Sequence, residues 1–511
     1  MLCGPYGSMN QEITISRLLE ENKALAAENA LLRETVERQA AENALLRETV
    51  ERQAAVIKAL EARIAELERR LGLNSSNSSK PPSSDGLSKP PSDRKQSHRT
   101  RSLREASTRK PGGQEGHKGE TLRQTADPDI VVDHFPESCS SCGVFLTAQE
   151  STGYQARQVF DLPEPKPLEV TEHRAHDCRC GACGHKTQAA FPGDVTAPVQ
   201  YGARIAAFVV YLLHFQMIPE DRLAALMKDL FGVGLVPATI ARMSRNCAGR
   251  LQDIVGWILT LVKVAAVKNL DETGFRVGGK TQWLHVASTT LLTFYRIAAQ
   301  RGSMLVDVIG VIVHDHWKPY YTMKGVLHAL CNAHHLRELK ALIEIEKEDW
   351  ARKMQKLLRL ACHFANLARE RNEPLRPSQI ARIERCYDAI LAEGLTFHEA
   401  QTPLTPVIPG QRGRRKRRPG HNLLLRLESR KEDVLRFLHD ISVPFTNNLA
   451  EQDGRMMKLR QKISGGFRSQ QGAEEFAIIR SVISTARKQG WNIVHTLMQD
   501  SNSLIQRLRT A

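Results

Sequence analysis

The sequence predicts a multidomain protein that opens on a long parallel coiled coil and closes on an α/β domain with a helical insertion. A small cysteine-rich domain and a helical domain lie between them. Three observations carry this reading. A fourteen-residue block, AENALLRETVERQA, occurs twice in succession at 27–40 and 41–54; two C-x-x-C pairs stand at 139–142 and 180–183; and strand-like apolar runs between 264 and 315 lead into acids. The 511 residues carry 72 Lys+Arg against 56 Asp+Glu, a net charge of +16, which points to several domains and a polyanionic partner. No apolar run approaches the roughly 18 residues of a membrane helix. With no secretory leader either, the expectation is a soluble intracellular protein whose ten cysteines stay reduced.

Fourteen residues are two heptads, so the duplication preserves the coiled-coil register. Core a positions read Ile15, Asn22, Asn29, Val36, Asn43, Val50, Ile57, Ile64 and Leu71; d positions read Leu18, Leu25, Leu32, Gln39, Leu46, Gln53, Leu60 and Leu67. Between parallel chains Glu28 meets Arg33, Glu42 meets Arg47 and Arg63 meets Glu68, each pair of opposite charge. Asn at a favours two parallel strands over three, so 12–73 is expected to be a homodimeric leucine zipper. Gly72 ends it. Residues 74–125, rich in Ser, Pro and Asn and then basic through Arg99, Arg101, Arg104 and Arg109, form a disordered linker.

Residues 126–198 hold Cys139-Ser-Ser-Cys142-Gly and Cys180-Gly-Ala-Cys183-Gly. Thiolates separated by two residues share one tetrahedral ion, which makes Cys139, Cys142, Cys180 and Cys183 candidate ligands of a structural Zn²⁺. The gap between the pairs is wide, Cys178, His173 and His176 are substitute ligands, and metal-free structural cysteines are the alternative. In 199–258, Ile205–Met217 reads as an apolar helix. Pro219–Leu230 and Pro237–Arg250, split by Gly232-Val-Gly234, have helix-turn-helix proportions. Thr239, Arg242, Ser244 and Arg245 fall on the second helix, and Arg242 and Arg245 are its candidate DNA contacts.

The α/β domain is expected at 259–322 and 440–495. Val264–Val267 leads through Leu270 into Asp271, which places Asp271 at the end of a buried strand. Thr281–Ser288 and Leu291–Ile297 read as two further strands, 301–309 as a short helix, and Gly310–Asp315 as a fourth strand ending in an acid. With the first and fourth strands side by side, Asp271 and Asp315 meet and suit a hard divalent cation. Lone acids at strand ends are otherwise common.

Beyond Asp315, 323–439 reads as a helical insertion without strands. It includes Cys331-Asn-Ala-His334, which has no second half at zinc spacing; His334 is expected beside the site, at DNA, or in helix packing. It also includes a basic loop in which Arg414, Arg415, Lys416 and Arg417 suit phosphates. After Pro444, Thr446 or Asn447 is expected to cap a helix with Asn448, Glu451, Arg455 and Lys458 on one face. Asp453 is the rival acid, about 200° round that helix from Glu451.

The order strand, strand, strand, helix, strand matches the ribonuclease H-like fold. The wording LDETG at 270–274, WLHV at 283–286, HDHW at 314–317, CNAHHLREL at 331–339, the linker NSSNSSKPPSSDG at 74–86, N-x-x-E at Asn448 and Glu451, and GGFR ending in Arg468 resembles the insertion sequence 66 family of DDE transposases over most of the chain. The resemblance implies that Asp271, Asp315 and Glu451 are the catalytic acids, holding two Mg²⁺ per active site, with Arg455, Lys458 and Arg468 at the DNA. It further implies a cytoplasmic protein of the bacterial nucleoid that binds terminal inverted repeats in double-stranded DNA, cleaves them and transfers the strand, with accessory proteins of the same element as further partners. The residues alone support a metal-dependent nuclease. The alternative is a dimeric zinc-containing DNA-binding regulator whose acids are structural.

Overall fold

The structure is a computed structural model that describes residues 8–73, 123–161, 168–302, 305–401 and 417–510; the linker and Arg414, Arg415 and Lys416 lie outside the described residues. The chain divides into two compact units. One draws on Met1–Lys89, Arg337–Lys356 and Tyr387–Arg426, the other on Pro90–Leu336, Leu357–Cys386 and Leu427–Ala511.

In the first unit, α1 (Ser8–Gly72) is one unbroken helix of 65 residues. From Ser16 to Glu61 every residue but Thr35 is exposed, and seam residues Leu18, Leu25, Leu32 and Leu46 are each more than half open to solvent. Exposed pairs such as Arg17–Glu21 and Arg52–Glu48 contribute only about 0.3–0.5 kcal/mol each. A helix of this length needs its apolar stripe covered.

In the second unit, the two C-x-x-C turns sit on minimal hairpins. One is closed by a bridge between Ser138 and Phe145, the other by β1 (Asp177–Arg179) paired antiparallel with β2 (Lys186–Gln188). Among the described residues from 123 to 200 none is buried, so this region has no apolar core of its own. Four helices follow: α2 (Ala203–His214), α3 (Glu220–Phe231), α4 (Pro237–Arg250) and α5 (Gln252–Val264). Gly232 closes α3 in the left-handed region and Pro237 opens α4 in its first turn, the punctuation that the expected helical pair requires. Ser244 lies on α4 as expected; it is buried and bonded to His214 Nε2 at 2.7 Å, and so packs the helix.

A five-stranded mixed sheet comes next: β3 (Val267–Val277), β4 (Lys280–Ser288), β5 (Thr293–Ala298), β6 (Gly310–His314) and β7 (Val326–Leu330), in the order β5-β4-β3-β6-β7. β3, β4 and β5 form an antiparallel meander, whereas β6 pairs parallel to both β3 and β7. The expected adjacency of first and fourth strands is therefore present. Gly310 makes the entry to β6 with φ +82°, and a Cβ there would lie 2.6 Å from the Ala266 carbonyl oxygen.

Three expectations are corrected. Val264 belongs to α5, and β3 runs on to Val277, so Asp271 is not at a strand end; the Val264–Val267 run was split between a helix terminus and a strand start, which apolarity alone does not separate. Pairing with β6 nonetheless stops at Asn269–Val313, so Asp271 stands just beyond the point where β3 and β6 part. The described residues of 301–309 form turns and bends, not a helix; Gly302 and the β-branched Val306, Val308 and Ile309 disfavour one, and Asp307 takes a left-handed φ of 56°. Finally, β7 occupies a range read as helical. The five residues behind Gly325, of which Ala329 and Leu330 are buried, are too few to show a period that distinguishes a strand from a helix turn.

After β7 the insertion is helical: α6 (Asn332–Ala341), α7 (Asp349–Glu370), α8 (Pro377–Glu399), α9 (Pro419–Ser429) and α10 (Lys431–His439). The chain returns with α11 (Asn448–Ser464), α12 (Gln470–Lys488), α13 (Ile493–Met498) and α14 (Ser501–Thr510). One apolar cluster runs from Val209, Ile240 and Ile254 through Ile312 to Ile483, Leu497 and Leu504. The boundary expected at 258/259 is thus not a boundary in packing. A second cluster, around Phe275, Leu284, Met457, Phe467 and Phe476, seats α11 and α12 on β3 and β4. Among the described residues no helix is long and apolar enough to cross a membrane.

Candidate active site

Asp271 is carried by β3, Asp315 follows directly on β6, and Glu451 lies in the first turn of α11. Burial, and then the charges of Glu272, Glu451 and Asp315, push the Asp271 carboxyl up to about 8. Burial also raises Asp315, against the pull of the Trp317 amide, which donates to Asp315 Oδ1 at 3.0 Å, and of the Arg301 charge. The charges of Glu451 and Asp315 both bear on the half-dry Asp271, a local excess that a hard cation relieves, while the three acids are not drawn to within 4.8 Å of one another. The donor chemistry fits Mg²⁺ on that ground.

The seat of α11 explains how Glu451 reaches the sheet. Asn447 precedes the helix but does not cap it with its side chain; instead its Oδ1 accepts from Asn269 Nδ2 at 2.9 Å and its Nδ2 donates to the Leu270 carbonyl at 2.7 Å. That ties the helix start to the strand beside Asp271. Gly454, one turn on, faces Asp271 and Val286, with its would-be Cβ 3.8 Å from Asp271 Oδ2. At the far end, Gly466 packs so closely that a Cβ would lie 2.5 Å from the Arg276 carbonyl oxygen, and Phe467 bridges to Val277.

Asp453 points elsewhere. Its Oδ2 accepts from Ser288 Oγ at 2.7 Å, Thr293 Oγ1 at 2.9 Å and Lys488 Nζ at 2.8 Å, so it fastens α11 to β4, β5 and α12. Breaking a mostly buried pair by removing one partner costs about 3 kcal/mol. Asp453→Ala is therefore expected to lower the thermal midpoint distinctly, and Lys488→Met in the same chain to restore part of it; an unchanged midpoint in the single variant would contradict this role.

Glu272, next to Asp271, is held differently. Arg301 donates to its Oε1 at 2.8 Å through Nε, and the Tyr320 hydroxyl donates to Oε2 at 2.5 Å. Arg301 in turn lies over the Trp317 ring at 4.1 Å. No spacing in the sequence announces this acid–arginine–tyrosine group, since its members come from three separate segments.

The other expected site residues are scattered. Arg242 and Arg468 are exposed, Arg245 pairs with Glu475 at 3.5 Å, and Arg455 stands 4.0 Å from Glu451 with its side chain 67% exposed. Lys458 donates to the Gly274 carbonyl at 2.9 Å, and Arg417 is exposed just before α9. Each C-x-x-C pair forms the same turn: Gly143 and Gly184 both have φ +74°, and the backbone amides within each turn lower the Cys139 and Cys180 thiols. Among the described residues, however, the four thiols are not gathered around a common point. The one group of three or more metal-ligand side chains that is so gathered is Cys331, His334 and Glu451.

A mixed sheet thus presents two half-dry acids, and the helix above it offers a third. The profile of the Transposase IS66 family matches residues 198–475, more than half of the chain, and the chain belongs to that family. Residues 22–123 match a family of unknown function, DUF6444. No curated protein matches the sequence.

Proposed function

We propose that this transposase binds the terminal inverted repeats of its element and catalyses Mg²⁺-dependent cleavage and strand transfer on a ribonuclease H-like domain, with Asp271, Asp315 and Glu451 as its catalytic acids. The observation that carries the reading is the mutual charge of those three carboxylates. Bound Mg²⁺ would supply Lewis acidity to the attacking and leaving oxygens of an in-line displacement. Asp271 and Asp315 would hold the cation from the sheet, and Glu451 from the helix. Arg455 extends from the Glu451 face toward solvent, where a phosphate of the bound DNA meets it. Water attacks the phosphodiester at the element's end and frees a 3′-hydroxyl. That hydroxyl then attacks a target phosphodiester and expels a second one.

Arg242 and Arg245 on α4, and the loop of Arg414, Arg415, Lys416 and Arg417, supply the remaining phosphate contacts, with Lys458 and Arg468 beside the sheet. The exposed stripe of α1 supports a parallel homodimer. The reading is tested by mixing pre-cleaved terminal-repeat DNA with a plasmid and Mg²⁺. Covalently joined product is expected. Tight binding of the repeat with no joined product would instead fit a DNA-binding regulator.

Zinc at Cys139, Cys142, Cys180 and Cys183 is supported by the two preformed turns and by the lack of any buried residue around them, since a domain without a core depends on another source of folding energy. One zinc per chain is expected by elemental analysis of protein purified without chelator. Cys→Ser at any of the four is expected to lower it and to expose 123–200 to protease. Protein that is zinc-free yet protease-resistant there would refute the assignment.

A further inference from the structure

Cys331 immediately precedes α6 and His334 lies in its first turn, closed by a hydrogen bond from the His334 amide to the Cys331 carbonyl at 3.1 Å. Glu451 arrives beside them from α11. Cys331 Sγ is 3.9 Å from Glu451 Oε1, and His334 Nδ1 is 4.0 Å from the same oxygen. One ligand atom from each of the three lies within 4.8 Å of the others. The separations are those of a long, weak S–H···O hydrogen bond from Cys331 to Glu451 and of a His334–Glu451 approach beyond ordinary hydrogen-bond range. They approach the edges of a zinc tetrahedron: bonds of about 2.3 Å to sulfur and about 2.0 Å to nitrogen or oxygen set neighbouring ligands about 3.3–3.6 Å apart.

The surroundings hold the sulfur in place. Cys331 is 1% exposed, and its sulfur already accepts the Asn447 amide at 3.1 Å, the kind of support that orients a metal ligand. One sulfur, one imidazole nitrogen and one carboxylate oxygen make a softer donor set than three carboxylates, and they leave a fourth position to water.

We propose that Cys331, His334 and Glu451 form a second metal site, selective for a thiophilic divalent cation of the Zn²⁺ class, which competes with the hard-cation site for Glu451. The competition rests on the catalytic reading of Glu451; the site itself does not. Binding forms a metal–sulfur bond, and the thiol proton it displaces passes to water. With its Oε1 engaged by the soft ion, Glu451 is withdrawn from Asp271 and Asp315, so excess Zn²⁺ silences the transposase reversibly.

The test uses the full-length, zinc-loaded protein titrated with Cd²⁺ and read by the ultraviolet charge-transfer absorption of the cadmium thiolate. Wild type and Cys331→Ser share every other cysteine, so their difference reports Cys331 alone. Wild type is expected to take up one further equivalent of Cd²⁺, and His334→Ala to bind it at least about tenfold more weakly. Circular dichroism establishes that each variant is folded, and His334→Ala carries the test if Cys331→Ser is not. Identical Cd²⁺ uptake by wild type and a folded variant overturns the site. Zn²⁺ inhibition of Mg²⁺-supported cleavage is then compared, each protein against its own zinc-free rate. Inhibition at least about tenfold weaker in the variants is expected, whereas equal inhibition despite Cys331-dependent Cd²⁺ uptake overturns the competition. Wild type that shows no Mg²⁺-supported cleavage at all counts against the catalytic reading, and Cd²⁺ uptake still decides the site.

Discussion

Asp271→Asn is expected to abolish cleavage and strand transfer and, in the same molecule, to stabilise the cation-free protein at pH 8. The loss follows from removing a cation ligand: several kcal/mol of charge stabilisation in the transition state corresponds to a rate lower by about a thousandfold or more. Asp315→Asn and Glu451→Gln are expected to match it, with terminal-repeat binding nearly intact in all three. The gain has a separate origin. A carboxyl raised from 3.8 to about 8 by folding binds a proton in the folded chain that the unfolded chain has already released. Stability therefore falls as pH rises between those two values. Each unit of such a shift is about 1.4 kcal/mol, so the wild type should lose a few kcal/mol on going from pH 5 to pH 8 without divalent cation, and Mg²⁺ should restore much of it. Asparagine keeps the shape without the charge and flattens that slope. Thermal melts at the two pH values with EDTA measure it; a variant whose melt stays as pH-dependent as wild type would show that Asp271 is not the strained group.

Removing residues 1–73 is expected to leave a chain that still binds one terminal repeat but no longer pairs two. The two apolar clusters that hold the sheet and its helices contain no residue of α1, so the second unit keeps its core. What goes is the only long exposed stripe of leucines among the described residues. Light scattering decides the premise. The full chain should run at twice the monomer mass and the shortened chain at the monomer mass; a monomeric full chain would remove the argument. Gel-shift assays with one and two repeat ends measure the consequence.

The sequence made the sheet legible where hydrophobicity and topology agreed. Thr281–Ser288, rich in Thr, Trp and Val behind Gly278-Gly279, reads as a strand, and an acid directly after Gly310–His314 marks Asp315. It concealed β7, whose five residues are too few to show a period, and it misplaced the start of β3, because Val264 is apolar enough to end a helix or begin a strand. At the site, helical geometry lets only one of Glu451 and Asp453 face the strands and the family resemblance points to Glu451; the bonds of Asp453 to Ser288, Thr293 and Lys488 give the rival acid a structural occupation. Asn447 holds the N-cap position that the sequence offers it, yet its side-chain amide is used by Asn269 and Leu270 rather than by the helix, partners that lie far back in the chain. Cys331 and His334 were seen as a pair without a third member, because the third member is distant in sequence and arrives only through the packing of α11.

The duplicated block within α1 bears on how such a protein changes over generations. Two identical runs of fourteen codons' worth of sequence lie end to end, and gain or loss of one copy lengthens or shortens the helix by about 21 Å at roughly 1.5 Å per residue. Because the block is two whole heptads, every leucine downstream keeps its phase. The rod is therefore a length that heredity can adjust in whole steps, while nearly any other insertion would break the leucine stripe.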